Sequence, residues 1–218
     1  MNNAVLIQQA YPGLGYEEMI NLTWDRNADY CNKWDFDYWT HIDPIVPEWD
    51  VKHGGWAKIE LIRRALDAGY QYVVWLDADA MIYDLDTDLR DGCPKGIGAC
   101  YHRIPQLNHW NVGVMYMQNS DEVISFIEEW ILKFPGAKDG WFEQGVFNRM
   151  GMTRKIVHTI SDKWNATVNV NIVPDAVVLG FHGHGDAKQR LQAMKDTLQR
   201  ISDKEAAKAQ DKSEVING

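Results

Sequence analysis

Two aspartates, Asp77 and Asp79, are the residues of this sequence whose spacing most clearly suggests chemistry. They stand one residue apart, directly after the bulky apolar run 72–76. Two carboxylates held this close raise each other's pKa, and a hard divalent cation or open water keeps both of them ionised. The pair therefore indicates a Mn²⁺ or Mg²⁺ site, and the alternative is a solvated loop after a strand.

A second polar cluster follows another apolar run, 176–181. Its residues are His182, Gly183, His184, Gly185, Asp186, Ala187 and Lys188. Two histidines among glycines predict a flexible loop with exposed imidazoles. An imidazole added to two aspartates makes a mixed nitrogen and oxygen site, which favours Mn²⁺ over Mg²⁺. Lys188, near the start of the next helix, would be a cation directed at phosphate.

A third cluster contains the neighbouring residues Glu143 and Gln144. They lie within the aromatic segment 141–148, where a short helix is predicted to begin. A carboxylate and an amide can bond to hydroxyl groups while aromatic rings cover the apolar face of a sugar. The cluster suits a polyhydroxyl ligand, and the alternative is that Glu143 only favours the positive end of the helix.

Lys58 and Tyr11 could contribute further contacts to a ligand. Lys58 lies in the first turn of the amphipathic helix 55–69, whose N-terminus could present it to phosphate or sugar. Tyr11 lies in the glycine-rich turn 11–15 after the first strand and could stack on a nucleobase. The alternatives are a solvated lysine and an ordinary half-buried tyrosine.

The order of the predicted elements indicates how these clusters come together. The predicted strands are 4–10, 36–40, 72–76, 97–101, 111–117 and 176–181, and the predicted helices are 16–34, 55–69, 119–134 and a last one from about 186. Alternation of strands and helices is typical of an α/β fold with a mostly parallel central sheet, in which ligands bind beyond the carboxyl ends of the strands. Within the third helix, Asn119 is the expected N-cap and Glu122 its capping-box partner.

Composition restricts the classes of function. With 218 residues, 45% of them hydrophobic, the chain can bury the core of one domain. A net charge of −9 and no basic stripe argue against a nucleic-acid-binding patch. Three cysteines without metal-ligand spacing, no signal peptide and no apolar stretch of membrane-spanning length predict a cytoplasmic protein.

The C-terminal part is predicted to be one helix with a narrow apolar stripe. The stripe consists of Leu191, Met194, Leu198 and Ile201. It could pack on the body, cover the site or mediate homo-oligomerisation, and packing is the default. Residues beyond 202 offer almost nothing to bury, so we expect a frayed end. The predicted division is therefore a catalytic domain at 1–188 and a helix with a polar tail at 189–218.

Taken together, these motifs resemble the metal-dependent glycosyltransferases of the A-type fold, which is Rossmann-like. The segments 56–58 and 75–82 are similar to the family of fungal galactosyl- and mannosyltransferases and plant xyloglucan xylosyltransferases. Three later segments resemble the family of glycogenin and the bacterial lipooligosaccharide galactosyltransferases. These segments are Asn111-Val112-Gly113, Glu143-Gln144 and His182-x-x-Gly185-x-x-Lys188.

The resemblance implies a role for each matched residue. It makes Asp77, Asp79 and His182 the ligands of Mn²⁺, with Mg²⁺ as a possible substitute. It places Gly185 and Lys188 at the diphosphate of a nucleotide-sugar donor, with UDP as the expected nucleotide. The residues near the transferred sugar would be Lys58, Asn111, Glu143 and Gln144. Both families retain the anomeric configuration, so retention is expected, and the acceptor could be a glycan, a lipid or a protein.

The sequence departs from the family pattern at three points. Glu143 stands where aspartate is more usual, no Pro-Trp pair follows Lys188, and His184 competes with His182 for the metal. Whether Glu143 is a transient nucleophile, or Gln144 or a backbone carbonyl only shields the sugar cation, stays open. The alternatives to a glycosyltransferase are a non-catalytic protein that binds nucleotide sugars or glycans and a haloacid dehalogenase-type phosphatase.

Overall fold

The computed structural model describes residues 2–42, 54–104, 107–134, 142–167 and 173–217. The helices are α1 (Tyr16–Trp34), α2 (Gly54–Asp67), α3 (Asp121–Ile131), α4 (Phe142–Gly151) and α5 (Ala187–Asn217). The strands are β1 (Ala4–Gln9), β2 (Phe36–His41), β3 (Tyr72–Asp77), β4 (Ala80–Ile82), β5 (Ile97–Ile104), β6 (Leu107–Gln118), β7 (Val157–Ile160), β8 (Ala166–Thr167) and β9 (Val178–Gly180).

The central sheet has six strands in the order β2-β1-β3-β6-β5-β7. Strand β6 is antiparallel to both of its neighbours, and the other neighbouring pairs are parallel. Parallel pairing needs a crossover, which α1 supplies between β1 and β2 and α2 supplies between β2 and β3. The α/β class with a mostly parallel sheet is confirmed.

Strand β3 lies inside the sheet and is buried on both faces. Val73 and Trp75 pack into the core cluster that includes α2 and α3. Val74 and Leu76 point to the opposite face and pack in the cluster that includes residues of α1. Alternation of side chains across the strand therefore needs apolar residues at every position, which explains the continuous apolar run.

A smaller sheet in the order β4-β9-β8 lies beside the end of β3. Strand β4 follows β3 after a two-residue turn and pairs antiparallel with β9, so that Ala80 is opposite Gly180. The backbone N–H of Phe181 donates to the carbonyl oxygen of Asp79 at 2.9 Å. This pairing brings the loop after β9 to the tip of β3. Strands β4, β7 and β8 were not predicted, because segments of two to four residues carry too little periodicity.

The predicted cap of α3 is wrong. Ser120, not Asn119, is the N-cap, and its hydroxyl accepts a hydrogen bond from the N–H of Val123. The amide of Asn119 donates instead to the carbonyl oxygens of Leu66 and Tyr70, which end α2 and lead into β3. Asn119 therefore ties two elements together and does not start a helix.

The apolar stripe of α5 packs on the body of the protein. Met194 is fully buried with Met19 of α1, Met81 of β4 and Phe181, and the rest of the stripe is partly buried there. This confirms the packing interpretation, and homo-oligomerisation through α5 stays a prediction. The helix continues to Asn217, so the expected fraying after residue 202 is wrong. Among the described residues, no helix is long and apolar enough to cross a membrane.

Candidate active site

The carboxyl ends of β1 and β3 form one edge of the central sheet. Asp77 is the last residue of β3 and lies opposite Gln9, the last residue of β1. Ala78 and Asp79 then form the turn into β4. This edge is where an open α/β sheet binds its ligands, because helix and loop backbones leave a crevice there. The predicted pair of carboxylates is therefore placed at the expected end of the strand.

Lys58 is buried between two of the predicted carboxylates. Its Nζ lies 2.9 Å from Oδ1 of Asp77 and 3.3 Å from Oε1 of Glu143. It also donates to the carbonyl oxygen of Val112 at 3.2 Å, and Nε1 of Trp75 donates to the same Asp77 oxygen at 2.7 Å. Burial lowers the pKa of Lys58, but the two carboxylates together raise it by more than burial lowers it. The net shift of this pKa is therefore upward. The interpretation of Lys58 as a solvated lysine is wrong.

Asp79 has a different partner, Arg190 of α5. Nη1 of Arg190 lies 2.8 Å from Oδ2 of Asp79, and its Nε donates to the carbonyl oxygen of Gly185 at 2.9 Å. Burial and the charge of Asp77 raise the pKa of Asp79 to about 6, although Arg190 acts in the opposite direction. The sequence reasoning missed Arg190. The available signal was its position two residues after Lys188, in the helix that follows the glycine-rich loop.

Of the two histidines in the loop after β9, His182 contacts Asn111 and feels the charge of Asp77. Its Nε2 is 3.3 Å from Nδ2 of Asn111 and 3.4 Å from Oγ1 of Thr167. Its ring stacks on that of His102, with centroids 5.4 Å apart. Burial lowers the pKa of His182 to about 4, with a smaller opposing effect from Asp77. The imidazole is therefore neutral at physiological pH, as a metal ligand must be.

The loop after β9 is less open than expected. His182–His184 form a short 3-10 turn, and both imidazoles are half-buried, so the prediction of exposed rings is wrong. His184 packs near the ring of Phe181, with centroids 5.9 Å apart, and its Nε2 is buried. Gly185 has a φ of +83°, a conformation that favours glycine, and it ends this turn before α5.

A cavity of about 250 Å³ collects five of the predicted residues. Its walls include Tyr11, Lys58, Asp77, Asp79 and Glu143. They also include residues that were not predicted, namely Gln9, Trp75 and Arg190. A larger groove of about 670 Å³ lies beside Arg26 and Tyr83, but it contains none of these residues. The smaller cavity is therefore the candidate active site.

The remaining predicted residues, His182 among them, do not line this cavity. The amide oxygen of Gln144 accepts from the backbone N–H of Val112 at 3.1 Å and so ties α4 to β6. Oδ1 of the buried Asn111 accepts from the N–H of Gly113 and from the amide of Asn165. Lys188 is exposed in the first turn of α5. Trp141, part of the predicted aromatic segment, lies outside the described residues.

The side chains at the site are of the right kind to bind a divalent metal ion. Asp77, Asp79 and a neutral His182 supply the oxygen and nitrogen ligands that suit Mn²⁺. A Cβ atom at Gly113 would lie 3.1 Å from Oδ2 of Asp77, so the glycine keeps the space beside this oxygen clear. Among the described residues, however, no three such side chains are already arranged around a common point. Oδ2 of Asp79 is paired with Arg190, so a metal ion that used this oxygen would displace the guanidinium.

Comparisons with known proteins give structural but not sequence similarity. No family model and no curated protein matches the sequence. A glycosyltransferase involved in the glycosylation of the major capsid of PBCV-1 superposes with a TM-score of 0.73 at 12% identity, over 88% of this chain and 98% of that one. The galactosyltransferase LgtC, in complex with donor and acceptor sugar analogues, superposes with a TM-score of 0.55 at 12% identity, over 88% of this chain and 94% of that one.

Mouse xyloside xylosyltransferase 1 gives a TM-score of 0.50 at 10% identity, over 82% of this chain and 97% of that one. GlyE from Streptococcus pneumoniae superposes with a TM-score of 0.57 at 11% identity, over 94% of this chain and 64% of that one. All four are glycosyltransferases, and the similarity extends over most of the described strands and helices. The chain has the A-type glycosyltransferase fold.

Proposed function

We propose that this protein transfers a sugar from a nucleotide-diphosphate donor, most simply a UDP-sugar, to an acceptor. The observation that carries the proposal is the cavity at the tip of β3, which brings together Lys58, Asp77, Asp79 and Glu143. These residues come from three separate segments of the sequence and meet at the ligand-binding edge of a glycosyltransferase fold. Convergence of chemically suitable residues, and not the fold alone, supports the function.

The charges of the cavity explain why a divalent metal would be needed. Three carboxylates lie in its walls, and the described cations there are Lys58 and Arg190, which leaves one net negative charge. A donor diphosphate would add two more. Because like charges in a partly buried site repel strongly, the donor needs a divalent cation to accompany it. We propose that Asp77, Asp79 and His182 hold Mn²⁺, which stabilises the departing diphosphate electrostatically when it is bound.

Tyr11 and Lys188 would bind the other parts of the donor. Tyr11 lies in the cavity wall, and we place the base of the donor against its aromatic ring. Lys188 is exposed in the first turn of α5, where its ammonium group is accessible to an incoming phosphate. The N-terminal end of a helix favours the same negative charge.

Glu143 is the residue we place beside the reacting sugar. Its carboxylate lies in the cavity, and the ion pair with Lys58 fixes its position. As the bond to the diphosphate breaks, positive charge builds on the sugar ring, and a carboxylate on the opposite side stabilises it. Gln144 instead has its amide oxygen on the backbone of β6, so it positions α4. Reaction with retention is part of the proposal, with Glu143 as nucleophile or as electrostatic partner.

The test is donor turnover with a panel of UDP-sugars. Released UDP is measured with and without MnCl₂, in the wild type and in the Glu143→Gln variant, which preserves shape but not charge. We expect Mn²⁺-dependent UDP release from at least one donor, reduced about 100-fold or more in E143Q. Near-normal turnover in E143Q would eliminate the role of Glu143. Mn²⁺-dependent UDP binding without any turnover would favour the alternative, a non-catalytic protein that binds nucleotide sugars.

A further inference from the structure

Arg190 occupies an unusual position in the cavity. Its guanidinium joins the carboxylate of Asp79 to the carbonyl oxygen of Gly185, at 2.8 Å and 2.9 Å. Asp79 is a proposed metal ligand, and its side chain is only 8% exposed. Because the carboxylate is nearly enclosed, a metal ion and Arg190 cannot both approach it freely. A metal ion that took both oxygens of Asp79 would displace Arg190, which is paired with Oδ2.

The same guanidinium has donors to offer to a ligand. Arginine carries five N–H groups in a rigid fork, and the two contacts with Asp79 and Gly185 use one from Nη1 and the one on Nε. Arg190 lines the cavity, and its side chain is 23% exposed, so the remaining part of the fork is accessible from it. This geometry suits the paired oxygens of a phosphate group better than a lysine would.

The local backbone allows the guanidinium to change partner. Arg190 is the fourth residue of α5, so its side chain starts from the end of the helix that borders the cavity. It reaches Asp79 across the turn that ends at Gly185. A change of side-chain rotamer at a partly exposed arginine takes only picoseconds to nanoseconds, and no movement of α5 is required. The stripe residue Met194 keeps the helix itself fixed to the body.

We propose that Arg190 is a donor-diphosphate ligand that neutralises Asp79 until metal and donor bind. In the free protein, Arg190 and a divalent cation compete for Asp79. When Mn²⁺ takes the carboxylate, the released guanidinium binds the diphosphate that accompanies the metal. The inference rests on the proposed function, because it concerns the same cavity and the same class of donor.

Two opposite effects follow for the Arg190→Gln variant. Removal of the competing cation strengthens the binding of Mn²⁺ alone, by about threefold or more, since a partly buried ion pair no longer has to be broken. Removal of the guanidinium group weakens the binding of UDP at saturating Mn²⁺ by about tenfold or more, because its charged hydrogen bonds to the diphosphate are lost. A residue with a merely structural role would weaken both.

The experiment measures the two affinities separately. Binding of MnCl₂ alone is followed by the electron paramagnetic resonance signal of the free ion, and binding of UDP at saturating MnCl₂ by isothermal titration calorimetry. The matched control is Arg200→Gln, the same change on the same helix. Within the part of the chain that the structure describes, the side chain of Arg200 bonds to Asp196 and Thr197 of the same helix and does not line the cavity. Melting temperatures of all variants show whether each is folded.

The expected result is tighter Mn²⁺ binding and weaker UDP binding in R190Q, with both affinities unchanged in R200Q. Weaker binding of both ligands in R190Q would overturn the competition, and unchanged UDP affinity would overturn the diphosphate contact. These results leave the proposed function intact if the wild type releases UDP from a donor. Failure of the wild type to bind either Mn²⁺ or UDP would instead overturn the proposed function together with this inference.

Discussion

Replacing Lys58 by methionine is the most informative perturbation of the candidate site. The change removes the ammonium group and keeps most of the apolar stem. Lys58 is 4% exposed and faces Asp77 at 2.9 Å and Glu143 at 3.3 Å. In the variant, both carboxylates and the carbonyl oxygen of Val112 lose their shared donor. The fold is then left with two negative charges and no internal cation between them.

The magnitude follows from how far water can reach the acids. Removing one partner of a fully buried pair costs about 3–5 kcal/mol. The side chain of Asp77 is 36% exposed and that of Glu143 is 14% exposed, so solvent compensates part of this loss. We therefore expect the free energy of unfolding to fall by about 2–3 kcal/mol. For a chain of this size, that corresponds to a melting temperature about 4–12 °C lower.

The assay compares thermal unfolding of K58M with two further variants. Lys133→Met removes a lysine that is also paired with a carboxylate, that of Glu129, but is 52% exposed, and it should cost less than about 0.5 kcal/mol. The double variant K58M/E143Q removes one of the stranded charges and should regain part of the stability. If K58M is no less stable than K133M, the buried ion-pair network does not hold the site together.

Three further predictions concern other parts of the site and the core. Gly113→Ala places a Cβ 2.9 Å from Oδ1 of Asn111 and 3.1 Å from Oδ2 of Asp77, so Mn²⁺ affinity measured by paramagnetic resonance should fall about tenfold; equal affinity would contradict a need for this space in metal binding. Burial lowers the pKa of His102 to about 4, below its value in the unfolded chain, so His102 costs stability as the pH falls from about 6.5 to 4. In His102→Asn, the melting temperature should depend less on pH across this range. An unchanged pH dependence of the melting temperature would contradict the lowered pKa of His102. Burial raises the pKa of the Cys31 and Cys100 thiols to about 12, so iodoacetamide at pH 8 should modify them only on unfolding, as mass spectrometry would show.

The sequence was informative where a pattern is local. The continuous apolar run of β3 predicted a strand buried on both faces. The position of the two aspartates at the carboxyl end of this strand could be predicted from the same run. The spacing of apolar residues likewise predicted α2, which presents Lys58. Such patterns depend on residues that are close in the sequence, so they can be read without knowledge of tertiary contacts.

The parts that could not be predicted depend on contacts between distant segments. Arg190 meets Asp79 across 111 residues, and its position two residues after Lys188 does not by itself identify Asp79 as its partner. Asn119 and Ser120 are both good caps, and only the carbonyl groups that Asn119 reaches at the end of α2 decide between them. Strands of two or three residues, such as β8, exist because β9 pairs with them.

The central claim is that the cavity at the tip of β3 binds a nucleotide diphosphate through Asp77 and a divalent metal. Isothermal titration of UDP into the wild type and into Asp77→Asn, each with MnCl₂ and with EDTA, tests it most directly. We expect binding by the wild type only in the presence of Mn²⁺, and a loss of about 100-fold or more in D77N. Equal UDP affinity in the wild type and D77N, or equal affinity with Mn²⁺ and with EDTA, would contradict the claim.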